Sequence, residues 1–389
     1  MMCRCPKAMS TTGRGVHVLE ILFSGPFATY GRGVSTFRLA VEIDGDGAHP
    51  AAWRRAAHTP DPLLSPRRLR DTARIAENAG FTLVTLDDDL LPPGAPPNTA
   101  ARIGSVERAG FIAAATSVLG VAPVVSTTYT EPFHVSSQLA SVDHISNGRA
   151  GWVVATSPNP ETARAWGRPV AADLAQEARD ATRVVRDLWD SWEDDAVIRD
   201  VATSRYLDRD RLHYIDFTGD TFAVKGPAIV PRPPQGQLVV FAPAGLLPPE
   251  SVDVELISAS TIDGLRSAAA GPSKTFAEVE VALDTPTETG AHRVADLAKH
   301  AAWPDRDRLR YTGSAAGLVE LVGELAGFVD GIRLHPLVLD EDISVLSRLV
   351  LPALFRARTA FRPLPGASLR TSLDLPRPVN RFAAARSAR

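Results

Sequence analysis

Short apolar runs separated by helix-like amphipathic stretches recur along this chain, and their rhythm predicts the fold. Residues 37–43, 81–86, 121–125 and 151–155 read as four strands; residues 238–241, 252–257, 278–283 and 331–334 read as four more. Runs that stay apolar on successive positions mark strands covered on both faces. Helical periodicity falls between them at 66–79, 106–118, 132–145 and 174–189, and a last helix is expected over 343–355. Gly80 stands where a helix C-cap belongs, and Asn147-Gly148 where the chain must turn. Eight strands with interleaved helices predict an α/β (β/α)8 TIM barrel.

Two places break the rhythm. A long insertion, residues 191–237, separates the fourth and fifth strands, and its TGDTF step predicts a hairpin between short strands. Between the fifth and sixth strands only APAGLLPPES remains. A parallel crossover usually needs a dozen or more residues and a helix, and Pro248 and Pro249 disfavour one. The fifth barrel helix is therefore expected to be missing or reduced to one turn. Residues 1–35 read as a flexible N-terminal extension, 36–360 as a single barrel, and the Pro- and Arg-rich 361–389 as a surface tail.

Composition narrows the function classes. The chain has 389 residues, 44% of them hydrophobic, and a formal net charge of -3. The mean hydropathy of -0.03 and a pI near 6.3 point to neither a nucleic-acid nor a membrane partner. The two cysteines, Cys3 and Cys5, form no complete metal set and read as tail residues of a cytoplasmic protein. The histidines His49, His134, His144, His213 and His335 are scattered, with no H-E-x-x-H, no G-x-S-x-G and no P-loop. No metal site is expected.

Candidate chemistry gathers at strand ends, where barrels place their ligands. The third strand runs into Ser126, Thr127, Thr128 and Tyr129; the fourth ends in Thr156 and Ser157; the second ends in Asp87, Asp88 and Asp89. Each acid could accept a ligand hydrogen bond or cap the next helix. Tyr129 and His134 follow the third strand on the same rim, and His134, in the first turn of the next helix, could also act as a local cap.

These segments resemble a known family. GAHPAAWR at 47–54, AENAGFTLVTLDDD at 76–89, STTYTEPFH at 126–134 and SVDHISNGRAGW at 141–152 are similar to the nitrilotriacetate, dibenzothiophene-sulfone and long-chain alkane monooxygenases of the bacterial-luciferase-like superfamily. HYIDFTGDTFAVKGP, PRPPQG, DGIRLHPLVL and SLRTSLDLPRPVNRF extend the likeness to about Arg381. The resemblance implies a TIM barrel that takes reduced FMN from a separate flavin reductase and oxygenates a small organic substrate with O2. It also implies a homo-oligomer. By the same likeness Asp88 matches a carboxylate beside the flavin, and Tyr129 and His134 match positions after the third strand.

The flavin-phosphate positions of the family are not matched. A Thr in the third strand is Val124 here; a His and a Tyr at the start of the fourth helix fall on Val170 and Leu174. The family's A-G-x-S-x-x-G is Ala244-Gly245-Leu246-Leu247, its W-N is Trp152-Val153, and its insertion near the seventh strand is shortened. Losing three hydrogen bonds to a charged group would weaken binding by about 5–9 kcal/mol. Polar-to-aliphatic changes of similar bulk predict a phosphate site filled with core, unless Arg164, Arg168 or backbone N–H groups reach the phosphate instead. Two readings follow: a flavin-dependent monooxygenase with an altered phosphate grip, or a non-catalytic relative acting as a partner subunit or small-ligand binder. Use of a deazaflavin such as F420 is a weaker third.

Overall fold

Eight parallel strands close into a ring in a computed structural model that describes residues 37–58, 65–91 and 102–387. The N-terminal extension expected over 1–35 lies outside the described residues. The ring comprises β1 (Arg38–Glu42), β2 (Leu83–Leu86), β3 (Gly120–Ser126), β4 (Gly151–Ala155), β5 (Val239–Pro243), β6 (Val254–Ile257), β7 (Lys274–Leu283) and β8 (Gly331–Pro336). Each pairs with its sequence neighbours, and β1 closes the barrel on β8, with Arg38 opposite Gly331 and Leu39 opposite Ile332.

The helices start and stop where the sequence supplies caps. Ser65 accepts from Arg67 N–H at the start of α1 (Pro66–Ala79), and Gly80, at φ 95°, ends it. The helix α2 (Ser105–Ala115) packs beside α3 (Pro132–Ser146), which ends on Asn147 at φ 58°. The helix α4 (Leu174–Asp190) is capped by Asp173. Between β5 and β6 the crossover is a single 3-10 turn, Pro249–Ser251, as the two prolines require. The insertion after α4 forms two hairpins, Val197–Asp200 with Arg205–Leu207 and Phe217–Thr218 with Ala223–Val224. Trp192, Phe217 and Val224 seat it on Val184 and Leu188 of α4.

Two features depart from the sequence expectations. The strand β7 starts earlier and runs ten residues, and its upper half leaves β6 to pair with an additional parallel strand, Leu309–Gly313. The C-terminal segment is not a surface tail. Leu369 and Leu373 are buried with the inward-facing Leu83, Ala122, Val239, Phe241 and Phe276, closing the amino end of the barrel. A Cβ at Gly120 would lie 2.8 Å from Leu369, so the glycine is what lets the leucine approach β3. Arg370 donates to the Gln237 and Leu238 carbonyls and pairs with Asp253 at 3.0 Å. The polar residues that suggested solvent here instead satisfy strand-end carbonyls.

Candidate functional site

Inward positions alternate along each barrel strand, and near the carboxyl ends they change from apolar to charged. The lower layers hold Ala40, Leu83, Val254, Leu256 and Phe276. Above them stand Glu42 of β1, Thr85 of β2, Glu278 of β7, and Arg333 and His335 of β8. Arg333 is 5% exposed. Its guanidinium donates to Glu42 at 2.6 Å, to Glu278 at 2.9 Å and to the Thr85 hydroxyl at 2.9 Å. Burial opposes ionisation of Glu42, but Arg333, His335 and Thr85 outweigh it and hold the carboxyl at about 2. Burial is likewise outweighed at Glu278 by Arg333, His335 and Arg308, which hold it well below the usual range.

Burial pushes His335 down to about 4, against the hydrogen bond to Glu278 that favours its protonation. The ring is therefore neutral at pH 7. Its Nε2 lies 3.2 Å from Glu278, and its Nδ1 lies 3.3 Å from Arg308 Nη1. Arg308 can only donate, so Nδ1 accepts and Nε2 carries the proton. In the sequence His335 stands alone among scattered histidines. The signal was the alternation itself: A-E-V-E-V in β7 and I-R-L-H in β8 put charge on every second residue of strands otherwise buried.

The mouth is different beside β2, β3 and β4. There a cavity of about 660 Å³ opens, and it brings together the three candidates Asp88, Tyr129 and His134. Val124, Val125, Val135 and Trp166 give it apolar walls; Ser126, Thr156 and Ser157 bring hydroxyls; and Arg168 is its one guanidinium among the described residues. Asp88 accepts from Ser105 N–H at 2.6 Å and from Asp89 N–H at 2.9 Å, so it caps α2, whose own N-cap Gly104 has no side chain. Tyr129 holds the left-handed conformation at φ 64°, and its hydroxyl accepts from Ala171 N–H at 3.3 Å. His134 is exposed, and its backbone N–H is capped by Glu131 at 3.0 Å.

A strap, residues 166–171, borders this cavity through Trp166 and Arg168. Trp166 Nε1 donates to the Leu90 carbonyl at 3.2 Å, and Ala171 N–H to Tyr129. The positions that lost the family's phosphate ligands behave unequally. Val124 is buried but lines the cavity, and Leu247 is 5% exposed, yet Val170 is 57% exposed on the strap. Val124 and Leu247 are thus buried and Val170 faces solvent, and the open cavity reaches Val124 but neither of the other two.

Residues 47–308 match the luciferase-like monooxygenase family. The chain belongs to that family, whose members are flavin-dependent monooxygenases. It is 36% identical over 208 residues to the N-acetyl-S-(2-succino)cysteine monooxygenase of Bacillus subtilis (strain 168), covering 52% of this chain and 47% of that protein. It is 42% identical over 132 residues to nitrilotriacetate monooxygenase component A of Aminobacter aminovorans, covering 33% of this chain and 29% of the relative. The chain thus spans about half or less of the length of these relatives. Among solved structures, a long-chain alkane monooxygenase superposes with a TM-score of 0.73 at 19% identity, over 90% of this chain and 99% of that one. A riboflavin lyase with modified FMN superposes at 0.71 and 23% identity, over 87% and 95%. At such identities the likeness shows the fold.

Among the described residues no cluster of three or more His, Cys, Asp or Glu is placed to hold a metal ion. No helix among them is long and apolar enough to cross a membrane.

Proposed function

We propose that this protein is a reduced-FMN-dependent monooxygenase that works with a separate flavin reductase in the cytoplasm. The observation that carries the reading is the open cavity of about 660 Å³ at the carboxyl ends of β2, β3 and β4. Its volume lies in the range of small-molecule and cofactor sites, and its lining joins apolar side chains to hydroxyls, carboxyls and one guanidinium among the described residues. Val124 and Trp166 would give a flavin ring apolar contact, and Ser126 and Ser157 would offer it hydroxyls. Arg168 would hold the phosphate in place of the family's ligands. Bound reduced flavin would supply the reaction with O2; the chain's share is to orient the ring, exclude water and seat a small organic substrate. The component name of the nitrilotriacetate relative supports a two-part system. A homo-oligomer is part of the proposal.

The test is an anaerobic titration of the full chain with FMNH2, followed by absorbance. Saturable binding at micromolar levels, weakened about ten-fold or more by Arg168→Ala, is the expected result. A second reading, a partner subunit or small-ligand binder that has lost the flavin, is favoured by Val124, Leu246 and Leu247 standing at phosphate positions. It predicts no saturable binding of FMNH2, and that outcome would replace the first reading.

A further inference from the structure

One side of the cavity beside β3 is made by the first turns of α2 and α3. On α3 the lining consists of the N-cap Glu131 and of His134, Val135 and Gln138. Residues one and four positions after His134 share its side of the helix, so α3 turns a single stripe toward the space, apolar at its centre and polar at both ends. Val106 adds apolar surface from α2.

Gln138 is partly buried, and its side-chain amide makes no hydrogen bond among the described residues. It is not a sealed group: buried side-chain atoms without partners occur elsewhere in the protein, but the Gln138 amide is not one of them. A ligand in the cavity can therefore reach it. Several neighbours in the lining are already engaged. Asp88 accepts from Ser105 and Asp89 N–H, Glu131 from His134 N–H, and the Ser126 hydroxyl from Thr128 N–H. The Gln138 amide keeps both a donor and an acceptor for whatever enters.

Charge in the lining restricts what that is. The N-termini of α2 and α3 would favour an anion, but Asp88 and Glu131 already fill them with carboxylates. Arg102 stands 3.7 Å from Asp88 and offsets its charge. Asp89, Glu107 and Glu131 line the cavity with no ion pair among the described residues. Arg168, the one guanidinium of the lining among the described residues, is assigned to the flavin phosphate. An acid entering beside a bound flavin would meet like charge and no cation to receive it.

We propose that the substrate is an uncharged, largely apolar molecule with one hydrogen-bonding group, and that Gln138 selects and orients that group. The proposal rests on the flavin reading for the role of Arg168. The Gln138 amide donates to a carbonyl-type oxygen of the substrate, Val106 and Val135 pack its apolar body, and the carboxyls of the lining turn acids away.

The test uses the full chain, loaded anaerobically with FMNH2, and three probes of one shape: benzamide, benzoate and toluene. Binding is followed by calorimetry. Benzamide should bind saturably and 1:1, and benzoate at least about ten-fold more weakly. Gln138→Leu keeps the bulk and the helix propensity; it should weaken benzamide about ten-fold and leave the binding of toluene and FMNH2, and the circular dichroism, as they are. Gln138→Met repeats the measurement should the Leu variant misfold. Glu107→Gln should narrow the gap between benzamide and benzoate. The proposal is overturned if benzamide does not saturate, if benzoate binds as tightly, or if the Gln138 variants weaken benzamide and toluene alike or neither of them. Failure of FMNH2 to saturate the native chain would refute the flavin reading instead. Benzamide and toluene titrated into the flavin-free chain, native against Gln138→Leu, would then decide the role of Gln138 by the same criterion.

Discussion

Replacing Arg333 with Met is the sharpest probe of the barrel mouth. The guanidinium holds two carboxylates, Glu42 at 2.6 Å and Glu278 at 2.9 Å, where their side chains are 11% and 10% exposed. Met fills similar space and supplies no charge, so both acids lose their main partner. Breaking a buried ion pair by removing one member costs about 3–5 kcal/mol. The depression of Glu42 from 4.5 to about 2 corresponds to about 3 kcal/mol at neutral pH, in agreement with that range. The sign follows from the carboxyl's lowered value. In the native protein the contribution of Glu42 is complete above its unfolded value near 4.5 and is lost as pH falls toward about 2. In Arg333→Met both carboxyls rise and can take up protons without a charged partner. The deficit relative to the native protein should therefore be largest at pH 7 and shrink on acidification toward the carboxylate range. Urea unfolding followed by tryptophan fluorescence, at pH 7 and pH 5, reads this directly. Adding Glu42→Gln and Glu278→Gln should recover most of the loss, since neutral groups replace the buried charges. A deficit below about 1 kcal/mol, or one that grows as pH falls, would refute the assigned network.

His335→Gln tests the neighbouring ring. With its value lowered from 6.5 to about 4, the unfolded chain binds a proton in that window that the folded protein refuses, so native stability falls as pH drops from 6.5 to 4. The variant should lose this slope, worth up to about 3 kcal/mol, in unfolding curves across the same window. Leu373→Ala should cost about 2–5 kcal/mol by opening a hole beneath the barrel, read as a lower thermal midpoint; a surface tail would show almost no change.

The barrel was legible because its strands are covered on both faces. Runs such as F-T-L-V-T-L and V-A-P-V-V have few alternative homes, and Gly80, Asn147, Pro248 and Pro249 fix where elements end or fail. The misses have physical causes too. In Leu309–Gly313, Leu309 is buried but Arg310 and Thr312 are exposed, so no apolar run announces the strand. The final segment carries Pro and Arg, the composition of a solvated tail, yet two leucines four residues apart are enough to anchor it beneath β3 and β4. At the site, Asp88, Tyr129 and His134 do line one cavity, because all three follow carboxyl ends of neighbouring strands. The charged upper layer was missed because its members are spread over four strands, and only their alternation within β7 and β8 marks them in the chain.

The mouth of this barrel is built in two unlike parts, and that division bears on how a cofactor could be held. Beside β7, β8 and β1 the upper layer is an ion-paired cluster in which Arg333 spends its N–H groups on Glu42, Glu278 and Thr85. A phosphate competing for Arg333 would have to displace two carboxylates already bound in a buried, low-dielectric setting, so that guanidinium is a poor substitute for the absent ligands. Beside β2, β3 and β4 the polar lining is hydroxyls, His134, Gln138 and the carboxyls of Asp88, Asp89, Glu107 and Glu131, and its one guanidinium among the described residues, Arg168, sits on a strap fixed by two side-chain hydrogen bonds, Trp166 to Leu90 and Ala171 to Tyr129. An anionic tail held there would engage the strap rather than the strand ends. Its binding would then be coupled to the position of residues 166–171, whereas a phosphate gripped by strand and helix residues would be indifferent to them.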